Sequence, residues 1–159
     1  MGREIGLCLV YRDMWQSSGK YMPRVDQLTR IAQPIVEMGC FTRVETNGGG
    51  FEQINLLYGE NPNTSNRAWT QAFNDAGIQT QMLERGLNGL RMYPVPDDVR
   101  KLMFKVKKLQ GTDIARSFDG LNDTRNLAKS IEYAKAGGMI SQTCLCITKS
   151  EIHTVEYYV

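Results

Sequence analysis

No stretch of this 159-residue chain approaches the ~20 consecutive apolar residues a membrane-spanning helix needs, and nothing in it has the layout of a signal peptide. Strong charge of one sign is also missing. The formal net charge is +2, and Lys and Arg are scattered apart from Lys105-Val106-Lys107-Lys108. Without a basic stripe interleaved with aromatics, the footprint of a nucleic-acid binder is absent, so no nucleic acid is expected among its partners. Cysteines at C-x-x-C spacing are lacking too. Cys8, Cys40, Cys144 and Cys146 stand in or beside strand-like apolar runs, which reads as buried, reduced thiols in a cytoplasmic protein rather than a metal site. No linker rich in Pro or Ser marks a domain boundary. What is present is ordinary globular composition, 42% hydrophobic and 23% charged, enough for one core.

One phrase recurs along the chain: a helical apolar stripe, a glycine, a strand, a polar loop. The first strand is the run Ile5 to Val10, which gives way to Arg12-Asp13-Met14-Trp15-Gln16-Ser17. Val25, Leu28, Ile31, Ala32, Ile35 and Val36 keep helical spacing and stop at Gly39, and Cys40 to Glu45 is the next strand. A helix over Trp69 to Asp75 closes on Gly77, ahead of a strand over 78–83. Val99, Leu102, Met103 and Val106 form a third stripe, begun after Pro94 and Pro96 with Asp97 and Asp98 at its positive end and stopped at Gly111. Ile114 to Phe118 is a strand; Leu127, Ile131 and Ala134 mark a fourth stripe ending at Gly137-Gly138; Ile140 to Ile147 is the fifth strand. Glycine after a helix fits a left-handed cap. A pitch of roughly 30–35 residues is that of a βαβ unit, and strict alternation implies a parallel α/β sheet. Periodicity alone leaves a closed barrel and an open sheet equally available. His153 to Val159 reads as the opening of one more helix.

Ligands of parallel α/β folds gather at the carboxyl ends of the strands. The polar groups expected there are Arg12, Asp13 and Gln16; Glu45, Asn47 and Glu52; Glu84, Arg85 and Asn88; and Asp119, Asn122 and Asp123. A bland account makes them salt bridges and caps. Buried ion pairs add little net stability, however, so charges at four successive strand ends favour a site for an anion or a metal.

The residues that carry the sharper account occur in order: Arg12-Asp13-x-x-Gln16-Ser17, Gly48-Gly49-Gly50-Phe51-Glu52, Glu84-Arg85-Gly86-Leu87-Asn88-Gly89, Pro96-Asp97, Phe118-Asp119-Gly120-Leu121-Asn122-Asp123 and His153-Thr154-Val155-Glu156. Their sequence resembles the carboxyltransferase domain of biotin-dependent enzymes, the family of pyruvate carboxylase, the transcarboxylase pyruvate subunit and the α subunit of oxaloacetate decarboxylase. The resemblance implies that residues 1–159 are the N-terminal half of a TIM (β/α)₈ barrel, about four βα units plus a fifth strand, with no biotin-carrier domain. It implies carboxyl transfer between carboxybiotin and pyruvate or oxaloacetate, with biotin on a separate carrier and a divalent metal (zinc, cobalt or manganese) stabilising the pyruvate enolate. Asp13 then aligns with the metal's carboxylate ligand, and Gln16 and Arg85 with the groups holding the α-keto acid, for which an Arg fork suits a carboxylate. Arg12, Glu52 and Asp119 fall in the polar shell around that substrate.

The family completes its metal site with a carboxylated lysine and an H-x-H pair. The one histidine here, His153, matches instead a helix-start position and reads as a local hydrogen-bonding residue. The expectation is therefore a fragment inactive alone, prone to self-association through open sheet edges, and partnered in the complete protein by a biotin carrier and, in a decarboxylase setting, by membrane subunits. Two other readings stay open: a non-catalytic truncated or split subunit that needs its other half, and an open-sheet small-molecule binder.

Overall fold

The computed structural model describes residues 5–18 and 21–159, and within them the side chains of Trp15, Gln16, Phe51, Glu52 and Ile54 are not described. In chain order the elements are β1 (Leu7–Leu9), α1 (Tyr11–Ser17), α2 (Val25–Glu37), β2 (Phe41–Asn47), α3 (Gly49–Tyr58), α4 (Pro62–Asp75) and β3 (Gln79–Glu84). A 3-10 turn (Gly86–Asn88) leads on to α5 (Asp97–Leu109), β4 (Ile114–Phe118), α6 (Thr124–Ala136), β5 (Ile140–Cys144) and α7 (Val155–Tyr158).

Local chemistry sets the helix ends. Asn61 accepts from the Asn63 amide ahead of Pro62 in the first turn of α4, and Asp123 does the same for Arg125 at α6. At α2 the Gln27 side chain reaches back to the Arg24 amide. After α4 and α5 the chain turns through Gly77 (φ 72°) and Gly111 (φ 94°), conformations that disfavour any Cβ.

All neighbouring strands are parallel and follow chain order, β1-β2-β3-β4-β5. A doubly wound open sheet reverses its order partway; this one never does, so every crossover helix lies on the same side. That is the winding of a TIM barrel, of which this sheet is a part. The helix-facing side of the sheet is apolar. Val44 of β2 packs with Leu28, Ala32 and Ile35 of α2 and Trp69 and Phe73 of α4. The Trp69 ring stands edge-on to Phe73 at 5.0 Å, and its indole N–H donates to the Thr46 carbonyl at 3.1 Å. A second cluster joins Met82 and Ala115 of β3 and β4 to Phe104 of α5 and to Tyr133 and Ala134 of α6.

Four sequence expectations are revised. The polar segment 11–17 is helical rather than a loop, and the helix expected over 69–75 starts earlier, at Pro62, with a further helix, α3, ahead of it. The cysteines are not core: Cys8 and Cys40 are exposed, and Cys144 and Cys146 half-buried, because the strands bearing them lie at or near the sheet edges. The fifth strand ends at Cys144 rather than Ile147. Most consequential, α5 buries Arg100, Phe104 and Lys107, whereas Val99, Leu102 and Val106 face outward. Arg100 can be buried because Ser130 accepts from its Nη2 at 2.6 Å and the Glu84 carboxylate stands 3.6 Å away. His153 behaves as expected, with Nδ1 2.6 Å from Ser150 Oγ. Among the described residues no helix is long and apolar enough to cross a membrane.

Candidate active site at the carboxyl ends of the strands

Because α1 starts two residues after β1, Arg12 and Asp13 sit in its first turn, over the end of the sheet. Their side chains part. Arg12 is buried and points across the sheet, while Asp13 is 63% exposed and stays within 3.2 Å of Arg12 Nη2. Arg12 Nε donates at 2.6 Å to Glu45, a carboxylate with no solvent exposure in the middle of β2. The other Glu45 oxygen accepts from Gln81 Nε2 of β3 at 2.8 Å and from Arg116 of β4, Nε at 2.7 Å and Nη2 at 2.6 Å. Burial opposes the charge on Arg116, but the Glu45 carboxylate outweighs it and holds the guanidinium pKa above its usual value. One carboxylate thus ties together the chain from β1 to β4, on the sheet face away from the helices, where TIM barrels more often stack branched apolar side chains.

Next to this hub the β2–α3 junction needs glycine for close approach. A Cβ on Gly48 would lie 2.6 Å from Arg12 Cδ, and one on Gly49 would lie 2.7 Å from the Leu90 carbonyl oxygen and 3.7 Å from Arg85 Cζ. Gly48, at the N-cap of α3, brings no side chain to cap it, and this positive helix end lies between Arg12 and Arg85. Arg85 leaves β3 half-buried and contacts the Met92 sulfur. A cavity of ≈ 230 Å³ opens beside Gly49, between α3 and the segment Leu90–Tyr93.

Strand periodicity explains why Glu84, next in sequence, is not part of this cluster: alternate residues face opposite ways. Glu84 is buried on the helix side, where it accepts from Ser130 Oγ at 3.0 Å and from the Gly86 amide at 3.2 Å. Burial pushes its carboxyl pKa up, against the opposing pull of Ser117, Arg100, Ser130 and that amide. Its contact with Gly86 pins the turn that presents Arg85.

The structure therefore brings Arg12, Asp13 and Arg85 to one end of the sheet. Asp119 is occupied locally: its oxygens accept from the Leu121 and Asp123 amides and Asn126 Nδ2, and the Asp123 amide leads in holding its pKa below the usual carboxylate value. Gln16 and Glu52 lie on α1 and α3, with side chains outside those described. The sequence reading missed Gln81 and Arg116 as partners of Glu45. The available signal was the polar alternation Arg43, Glu45, Asn47 in one strand and Gln79, Gln81 in the next.

For a metal the donor set stops short. Among the described residues no three His, Cys, Asp or Glu side chains converge, and Asp13 has a guanidinium beside it. These residues do not by themselves fit a divalent cation, which wants three or four ligands.

Singly wound βα units with charged groups at the carboxyl ends of the strands are the form of part of a TIM barrel. The chain is homologous to subunits of pyruvate carboxylase and of methylmalonyl-CoA carboxyltransferase, and shares the fold of a pyruvate carboxylase carboxyl transferase domain. It is 32% identical over 149 residues to a pyruvate carboxylase subunit of Methanocaldococcus jannaschii, covering 94% of this chain and 26% of that protein. It is 29% identical over 158 residues to the methylmalonyl-CoA carboxyltransferase 5S subunit of Propionibacterium freudenreichii subsp. shermanii, covering 99% of this chain and 31% of that one. The carboxyl transferase domain of Rhizobium etli pyruvate carboxylase, solved with oxamate and biotin, superposes with a TM-score of 0.86 at 22% identity, over 97% of this chain and 27% of that one. The chain thus spans between a quarter and a third of the length of these relatives. No protein-family model matches it.

Proposed function

We propose that this chain supplies the α-keto-acid end of a biotin-dependent carboxyltransferase site, with pyruvate or oxaloacetate as substrate. The observation that carries the reading is the approach of Arg85 to the uncapped start of α3, beside Arg12 and Asp13. Guanidinium and helix N-terminus are both anion-seeking, and together they suit a small carboxylate held in one orientation. In this proposal Arg85 binds the substrate carboxylate, and Gln16 is a second substrate-binding residue. Arg12, already engaged by Glu45, fixes the start of α1 and so the place of Asp13. Glu52, on the first turns of α3, and Asp119, capping the β4–α6 loop, shape the walls. Biotin on a separate carrier domain supplies or receives the carboxyl group.

Asp13 is the one metal ligand this chain would offer to zinc, cobalt or manganese, the rest coming from other parts of the complete protein. The isolated chain is accordingly an inactive half, expected to retain no stoichiometric metal and to self-associate through the edges at β1 and β5. Decarboxylation of oxaloacetate with membrane partner subunits is a narrower form of the same reading, as is a cytoplasmic setting. The absence of any reversal in strand order weighs against an open-sheet binder.

The test is made in the complete protein that contains this chain. Arg85→Ala should abolish pyruvate-dependent turnover while far-UV circular dichroism and the melting temperature stay unchanged, and Arg85→Lys should raise KM sharply. Unaltered turnover in Arg85→Ala would end the assignment.

A further inference from the structure

We infer that Arg100 of α5 and Ser130 of α6 are positioning residues for Arg85, acting through Glu84 to hold the turn from which Arg85 reaches its substrate. The inference rests on the carboxyltransferase reading above and adds to it two buried side chains on the helix side of the sheet. The contacts form a continuous chain. Arg100 Nη2 donates to Ser130 Oγ at 2.6 Å, Ser130 Oγ donates to Glu84 Oε1 at 3.0 Å, and Glu84 Oε2 accepts from the Gly86 amide at 3.2 Å. Arg100, Ser130 and Glu84 have no solvent exposure. Asp97, 3.5 Å from Arg100 Nη1, steadies the far end.

The turn needs such a hold. Gly86 takes φ 52° and Gly89 φ 56°, and the loop between them closes when the Arg85 amide donates to the Gly89 carbonyl at 2.8 Å. Two glycines in the left-handed region lend a turn little stiffness of their own, so its place depends on what it is tied to. Glu84 and Arg85 share a peptide bond and face opposite sides of the sheet. Whatever fixes the carboxylate below therefore fixes the root of the guanidinium above. Stability alone does not account for the arrangement, because a buried ion pair adds little over apolar side chains of similar volume. An apolar replacement could not set an acceptor under the Gly86 amide. Glu84 supplies that acceptor, Ser130 fixes its orientation, and Arg100 supplies the charge that lets a carboxylate lie there.

The test is made in the complete protein that contains this chain, with circular dichroism confirming that each variant is folded. The substrate carboxylate does not itself react, so a grip loosened by misplacing Arg85 is lost from ground and transition states alike. Ser130→Ala should therefore raise KM for pyruvate about tenfold and leave kcat within about twofold. Arg100→Met, a second variant that keeps the bond between Ser130 and Glu84, should raise KM about threefold. In an Arg85→Lys background Ser130→Ala should add less than about twofold, because the group it positions has gone. Phe73→Leu, which loosens the apolar cluster under β2, should leave KM unchanged. Hydrogen exchange at the Gly86 amide should quicken about tenfold in Ser130→Ala and stay as it was in Phe73→Leu. An unchanged KM in both Ser130→Ala and Arg100→Met, a rise as large in Phe73→Leu, or an undiminished effect in the Arg85→Lys background would each overturn the inference. Exchange at Gly86 needs no turnover, which keeps the two readings apart. Unaltered turnover in Arg85→Ala counts against the carboxyltransferase proposal, and unaltered exchange in Ser130→Ala refutes the positioning by itself.

Discussion

Replacing Glu45 by Gln tests whether the buried hub carries structural weight. The substitution keeps the shape and one acceptor oxygen, but it removes the charge that two guanidiniums share and adds an N–H₂ facing them. Arg12 has a side chain only 5% exposed, so its charge stays in the interior, with the solvent-facing Asp13 carboxylate 3.2 Å away. Arg116, at 25% exposure, can recover part of its hydration. Breaking a buried ion pair by removing one partner costs about 3–5 kcal/mol, and these two escapes place the loss near the lower end, about 3 kcal/mol. For a chain of this size that lowers the melting temperature by roughly 6–12 °C. Thermal and urea unfolding followed by circular dichroism measure it. The loss should be nearly the same at low and high salt, since buried pairs are poorly screened. In a double-mutant cycle with Arg116→Met the two losses should fall well short of adding. A loss below about 1 kcal/mol, the scale of an exposed pair, would refute the picture of a desolvated hub.

Two further outcomes follow from the same geometry. The raised carboxyl pKa of Glu84 means that the folded chain binds this proton more tightly than the unfolded one; its contribution to stability is therefore greatest below the ordinary value of 4.5 and is lost as pH rises above it. The stability difference between Glu84→Gln and the native chain, measured in urea from about pH 4 to about pH 8, should move steadily in favour of Gln, and a difference flat with pH would contradict the burial argument. Gly49→Ala should cost about 1–3 kcal/mol because its Cβ meets a backbone oxygen at 2.7 Å, whereas Gly120→Ala, with nothing within 4 Å, should be neutral. Equal melting temperatures for the two variants would show that the β2–α3 junction tolerates a side chain after all.

The alternation of helix and strand was legible because glycine marks it: Gly39, Gly77 and Gly111 each take a positive φ just where an apolar stripe ends. Asp13 and Arg85 were legible as strand-end groups from the same alternation. The face of α5 was not. Positions 99, 102, 103 and 106 and positions 100, 104 and 107 are both helical stripes, and nothing local reveals that Arg100 finds Ser130 and Glu84 waiting beneath it. Helix α1 is seven residues of mixed polarity, too short for periodicity to register against a loop. Glu45 looked like a strand-end residue; its true neighbours at 81 and 116 depend on register, which a polar interior face leaves unspecified from sequence.

The hub at Glu45 also constrains how the sequence can drift. Three positions far apart along the chain (12, 81 and 116) answer to the single negative charge at 45, so a replacement at 45 disturbs all three contacts at once and one at 12, 81 or 116 takes a donor from it. Variation there should proceed by concerted exchange, or through an intermediate that has first gained stability elsewhere. A library randomised at these four sites together should recover folded combinations that no series of single changes would reach.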